Sequence, residues 1–217
     1  KKIKLFNNIN LLNFWLFGWA TVGIIVLSGD IVKLCFGENY VLPFNIPCII
    51  GINFYMVGMQ NAVWTYKNTM GLFRQGRYLL IVTAILNLVF SILLGSEWGL
   101  FGILLATSIS RLLTNTWYDP YVVFKYGLNT SPKIYLKKYI YFLILLIITV
   151  IVSLYLCSFI EFNTILDIIN KFIICIIIPN LIFLLAFYKK DEFKYFLELL
   201  NKFKMLILHY IKLIKKY

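Results

Sequence analysis

Six apolar stretches, each about 20 residues long, alternate with short polar breaks along this chain of 217 residues. They cover residues 11–29, 44–64, 78–94, 99–118, 139–160 and 170–188. A stretch of that length crosses the hydrocarbon core of a bilayer as a helix, because no water is there to satisfy an open backbone. The expected fold class is all-α integral membrane, with six transmembrane helices. Composition agrees: 61% of residues are hydrophobic and 14% charged, more apolar surface than a soluble domain of this size can hide.

The charges fall on alternate breaks. Eighteen Lys and Arg residues lie in the two tails and the breaks around 65–77 and 119–138, while the remaining breaks hold Lys33 and Lys171 against Asp30, Glu38, Glu97, Glu161 and Asp167. The positive-inside bias puts both termini of this stretch in the cytoplasm of a multi-pass cell-membrane protein and the acidic breaks outside. The same bias, with anionic inner-leaflet lipid as partner, accounts for the net charge of +12 without nucleic acid. Pro43 suits the first turn of the second helix. Pro179 and Asn180 should kink the last span, and residues 121–138 read as a loop. From 189 to 217, apolar residues recur at helical spacing opposite lysines, as in an amphipathic helix lying in the interface; a partner-binding helix is the alternative.

Chemistry of the enzymatic kind has little to stand on. Cys35, Cys48, Cys157 and Cys175 form no CxxC pair and have no His at ligand spacing, so no metal and no cofactor is expected. Cys157–Cys175 and Cys35–Cys48 disulfides can be drawn, beside the plainer reading as small buried side chains. His209 is the only histidine and sits in the tail. All nine acids lie in breaks, tails or segment ends, which removes a mid-membrane coupling carboxylate and a buried acid–base pair.

Arg111 is the sharpest single residue. It lies eight residues, about 12 Å of helix rise, inside Asp119. Thr107, Ser110 and Thr114 share its face at 100° per residue. One reading is contact with an anionic substrate group such as a phosphate, for which the guanidinium fork is suited. The other is snorkelling to headgroups or pairing with an acid. Asn53 and Gln60 share a face, and Asn87 aligns with Thr83 and Ser91. Such residues commonly join helices by hydrogen bonds, and they also suit a cavity for sugar hydroxyls. Lys67, Arg74 and Arg77 set topology and could draw a polyanionic headgroup to an inner mouth. Gly51 and Gly58, and Gly99, Gly102 and Ala106, mark close-packing stripes.

The ordered strings FGENY, NFYMVGMQN, GLFRQGRY, ILNLVFSILL, WGLFGILLATSISR and WYDPYVVFKYG resemble the polysaccharide (O-antigen, capsule or exopolysaccharide) repeat-unit flippases of bacteria, in the multidrug/oligosaccharidyl-lipid/polysaccharide exporter superfamily. The resemblance runs from about residue 5 to 140 and is topological beyond that. It implies a MATE-like two-lobed transporter in which residues 1–138 are part of the C-terminal lobe, 139–188 two additional helices and 189–217 a cytoplasmic-side helix. The chain also lacks an initial Met, so the N-terminal lobe of the same polypeptide is expected upstream. The implied function is flipping of an undecaprenyl-pyrophosphate-linked oligosaccharide by alternating access, possessing no enzyme activity and working beside other polysaccharide-assembly proteins. Substrate contacts are expected from Arg111, Thr107, Ser110, Thr114 and Asn87, with Arg74 and Arg77 nearer an inner gate. The alternatives are a multidrug/cation exporter of the same fold, which would need deep acids, and a membrane-embedded polysaccharide-assembly enzyme or scaffold.

Overall fold

The structure, a computed structural model, describes residues 2–160, 165–198, 201–202 and 205. It is all-helical over these residues. Five helices are long and apolar enough to cross a membrane.

Helix α1 (Lys2–Phe36) runs well beyond the apolar stretch 11–29. Nothing between the two ends breaks a helix, and extending one costs little once it is nucleated. Gly37 ends it at a positive φ of 94°, its N–H bonding Lys33 O at 3.0 Å, as a C-terminal glycine does. Helix α2 (Asn45–Thr69) starts after Pro43, and Pro47 rather than Pro43 occupies its first turn.

Helix α3 (Leu79–Leu113) is folded back on itself. Gly99 has φ 57° and ψ −134°, which only glycine adopts freely. Asn87 Nδ2 donates to Thr107 Oγ1 at 3.1 Å across 20 residues. A straight helix would hold those two residues about 30 Å apart. Residues 79–98 and 100–113 are therefore antiparallel arms of a hairpin, as the short break 95–99 predicts. At its tip a side chain on Gly102 would overlap the Leu94 carbonyl.

Past Arg111 the structure departs from the sequence reading. The fourth stretch breaks at Thr114 (φ −122°, ψ −88°) and resumes as α4 (Asn115–Val122), followed by a π turn, Val123–Gly127. The expected loop 121–138 thus shrinks to 128–132, because α5 (Lys133–Cys157) already starts behind Pro132. Helix α6 (Ile165–Phe187) stays helical through Pro179. Residues 191–198 are helical; residues 199–200, 203–204 and 206–217 of the expected tail helix lie outside the described residues.

Helix α1 is the hub, packing against α2, α5 and α6. Phe6 and Phe14 are fully buried. Phe6 meets Tyr66, Phe124 and Tyr135 edge-on, and Phe14 stacks on Phe142 with centroids 4.5 Å apart and touches Phe183. The glycines of α2 let the α1 backbone approach: a Cβ on Gly51 would sit 2.7 Å from Ile25 Cγ1, and one on Gly58 would overlap the Phe17 ring. On α5 and α6 a single stripe is buried, and the remaining Ile and Leu faces are open. Lys171 on α6 pairs with Asp30 on α1 at 2.8 Å. All four cysteines are free thiols, Cys157 and Cys175 buried.

Pro179 explains two tryptophans. It has no N–H for the carbonyl of Cys175, four residues earlier. Trp19 Nε1 donates to that oxygen at 2.9 Å, and Trp15 Nε1 donates to Asn180 Oδ1 at 2.7 Å. Two indoles of α1 thus satisfy the proline region of α6. Trp19→Phe keeps an aromatic ring but removes the indole N–H, leaving a carbonyl without its donor. The expected loss is about 1–3 kcal/mol, read as a lower thermal midpoint in detergent, with Trp19→Tyr giving no rescue because its hydroxyl projects elsewhere.

Candidate functional site

A polar seam runs where α2 meets the second arm of α3, deep among apolar helices. Asn53 Nδ2 donates to Leu104 O at 2.9 Å, and Ser108 Oγ donates to Asn53 Oδ1 at 3.0 Å. Two turns on, Arg111 Nη1 donates to Gln60 Oε1 at 3.3 Å, while Gln60 Nε2 reaches Thr116 Oγ1 at 3.5 Å. The sequence puts Asn53 and Gln60 seven residues apart, so both project to the same neighbour. Gln60 is buried and the Arg111 residue half-buried.

Inside the hairpin a second ladder joins the arms. Asn87 reaches Thr107 and, at 3.4 Å, Ser110 Oγ. Thr83 Oγ1 donates to Thr114 Oγ1 at 2.9 Å and lies 3.1 Å from Asn115 Oδ1. Ser110 and Thr114 are buried, and Thr107 and Asn87 half-buried. These four residues of the expected substrate face are therefore engaged in helix-to-helix bonds, the joining role open to them from the sequence.

Arg111 differs from them in its partner. Gln60 is neutral, and among the described residues no carboxylate pairs with the guanidinium. The break at Thr114 follows within one turn, where Thr114 Oγ1 donates to Ser110 O at 2.6 Å. A charge inside an apolar helix next to a helix break is a costly arrangement, offset only by a polar partner or an anionic ligand.

Arg74 and Arg77 are exposed and lie elsewhere. The Arg74–Gly76 turn docks on α4, with Tyr118 Oη donating to Gln75 O at 2.6 Å. The Arg77 guanidinium lies 4.6 Å over the neighbouring Tyr78 ring. The seam does not gather them with Arg111.

Sequence reasoning missed the group that holds this end together. Lys67 Nζ donates to Asp119 Oδ1 at 2.6 Å, and Trp64 Nε1 donates to Asp119 Oδ2 at 3.0 Å. Asp119 is buried, and the two side chains are 14% and 3% exposed. Gly76 closes the site: a Cβ there would lie 2.6 Å from Lys67 Nζ. Lys67 read as one more topogenic cation, and Asp119 as the polar end of a span. The available signal was Trp64 and Lys67 one helical turn apart, together with Asp119, the only acid of the next lysine-rich break. No known family model, curated protein or solved structure matches this chain.

Proposed function

We propose that this chain forms the helical membrane part of a flippase for an undecaprenyl-pyrophosphate-linked oligosaccharide. Helices α1, α2, the two arms of α3, α5 and α6 make six crossings, with the lysine-rich ends cytoplasmic. The first four form part of the C-terminal lobe of a two-lobed, MATE-like transporter, α5 and α6 are two additional helices, and the other lobe belongs to the same polypeptide. The observation that carries the reading is the Arg111 guanidinium: half-buried on a polar seam, bonded to a neutral amide, with its charge free for an anionic group. A pyrophosphate supplies that group, and the neutral donors and acceptors along the seam suit sugar hydroxyls. The largely open apolar surface of the first arm, including Leu80, Ile85, Leu88 and Ile92, suits lipid or the other lobe. Translocation needs no covalent chemistry: the lobes rock, and the hairpin moves as one body because Asn87 and Thr83 bind its arms together. A cation exporter would need an unpaired acid within a span, and buried Asp119 is already neutralised by Lys67.

The direct test is the full polypeptide in proteoliposomes with the lipid-linked oligosaccharide labelled in one leaflet. Transfer above the protein-free rate is expected; transfer at that rate contradicts the proposal. Orientation is tested separately. Cys35 is exposed at the acidic end, so a membrane-impermeant maleimide labels it in spheroplasts. On a Cys35→Ser background, Gln75→Cys is labelled only after permeabilisation. The reverse pattern would invert the topology.

A further inference from the structure

At the lysine-rich end lies a cavity, about 870 Å³, between the first turns of α1, the first turns of α5 and the turn that follows α6. It is separate from the Arg111 seam, which α2 and α3 build. Its floor is apolar, made by Leu11, Phe142 and Phe187, with Tyr141 on the wall. Lys4, Lys137, Lys138, Lys189 and Lys190 line it, against Asp191 and Glu192.

The pairing inside this cavity is unequal. Glu192 accepts from Lys138 at 2.9 Å. Burial pushes its carboxyl up, but hydrogen bonds from Lys138 and its own backbone and the charges of Lys138 and Lys190 outweigh this and hold it below the ordinary value. Asp191 turns to Lys194 at 3.5 Å. Among the described residues Lys4 and Lys137 form no ion pair, and Lys190 acts on Glu192 only through space, without an ion pair of its own. Asn8 also lines the cavity; it is 4% exposed, and its buried Oδ1 accepts no hydrogen bond. An unpaired buried acceptor is costly unless something donates to it.

We infer that this cavity binds the headgroup of an anionic glycerophospholipid, of the phosphatidylglycerol class. The phosphodiester meets the lysines, a glycerol hydroxyl donates to Asn8 Oδ1 once the amide turns toward the cavity, and the upper acyl chain lies on Leu11, Phe142 and Phe187. Basic pockets between helices at the cytoplasmic interface take such headgroups. A free phosphate would use the lysines and leave the apolar floor and Asn8 unengaged. Phosphatidylcholine would bring its own cation to a cationic rim and carries no headgroup hydroxyl. The inference needs only that the helices sit in a bilayer and does not depend on the flippase reading.

The experiment titrates the purified full polypeptide in neutral detergent with dioctanoyl phosphatidylglycerol, and in parallel with dioctanoyl phosphatidylcholine and inorganic phosphate, counting bound lipid by native mass spectrometry. Saturable binding of phosphatidylglycerol is expected, at least about tenfold tighter than phosphatidylcholine and not displaced by millimolar phosphate. The triple variant Lys4→Gln, Lys137→Gln, Lys190→Gln changes exposed side chains, so it keeps its elution profile and melting midpoint, and it should lose at least about tenfold in affinity. Asn8→Leu should reduce the preference for phosphatidylglycerol over dioctanoyl phosphatidic acid, which lacks the glycerol hydroxyls. A matched control changes Arg77, Lys125 and Lys133 to Gln. Equal loss in control and triple variant would mean unspecific attraction and overturn the inference, as would equal binding of phosphatidylcholine or displacement by phosphate.

Discussion

Arg111→Ala in the full polypeptide is expected to lower surface-polysaccharide export by roughly ten- to a hundredfold, the loss of one charge-assisted contact worth about 1.5–3 kcal/mol, with abundance and membrane insertion near normal. Insertion should survive because removing a half-buried cation from a span removes a cost. Arg111→Lys is expected to restore part of the activity: it returns the charge without the planar two-pronged donor set. Gln60→Glu sharpens the test. It places a carboxylate 3.3 Å from the guanidinium and so neutralises it in place, with Arg111 and its packing retained. If Arg111 serves substrate, Gln60→Glu lowers export nearly as much as Arg111→Ala while leaving the melting midpoint unchanged or higher. If Arg111 only pins α3 to α2, the tighter pair leaves export intact. Equal export by Arg111→Ala at equal abundance would remove the residue from the mechanism.

The second large effect is on stability. Asp119→Ala is expected to destabilise by about 3–5 kcal/mol, since it strands the Lys67 ammonium in a site where its side chain is only 14% exposed. Trp64 loses its acceptor at the same time. The thermal midpoint in detergent should drop sharply and the protein should be degraded in cells. The double change Asp119→Leu with Lys67→Met removes both charges and should recover most of the loss, because an apolar pair of similar size often matches a buried ion pair. A double variant as unstable as Asp119→Ala would show that the charges are not the cause. Gly76 limits the repair. A side chain there would lie 2.6 Å from the Lys67 ammonium, so Lys67 has to shift to admit one.

Much of the architecture is legible in the residue string, for physical reasons. A bilayer-length apolar run has to be helical, and Gly99 amid GSEWG forces a hairpin. The glycine spacing on α2 marks the approach of a neighbour, though only the structure identifies it as Phe17 and Ile25 of α1. Helix ends were poorly legible: α1 starts at Lys2 because polar residues such as Asn7 and Lys4 tolerate a helix as well as a tail. The break at Thr114 carries no glycine or proline and could not be read. The loop at 121–138 was overestimated, since Gly127 and Pro132 mark only its last part.

For the seam, the residue types and faces of Arg111, Asn53, Gln60 and Asn87 were readable, because helical spacing fixes which side chains align. Their partners were not, since pairing between helices depends on packing that no local pattern encodes. The ion pair of Lys67 and Asp119 and the indole bond from Trp19 to the Cys175 carbonyl link residues 52 and 156 positions apart. Arg74 and Arg77 looked equivalent to Arg111 in charge. Burial separates them, and burial belongs to the tertiary fold.

We propose that the Arg111 seam receives the phosphate end of a lipid-linked oligosaccharide. The most direct measurement is equilibrium binding of the undecaprenyl-pyrophosphate oligosaccharide to the purified full polypeptide and to Arg111→Ala and Gln60→Glu, in one detergent at one ionic strength. Saturable binding to the unaltered protein, weakened about tenfold or more in both variants, is the predicted result. Equal affinity in all three proteins, or no binding to any, would contradict it.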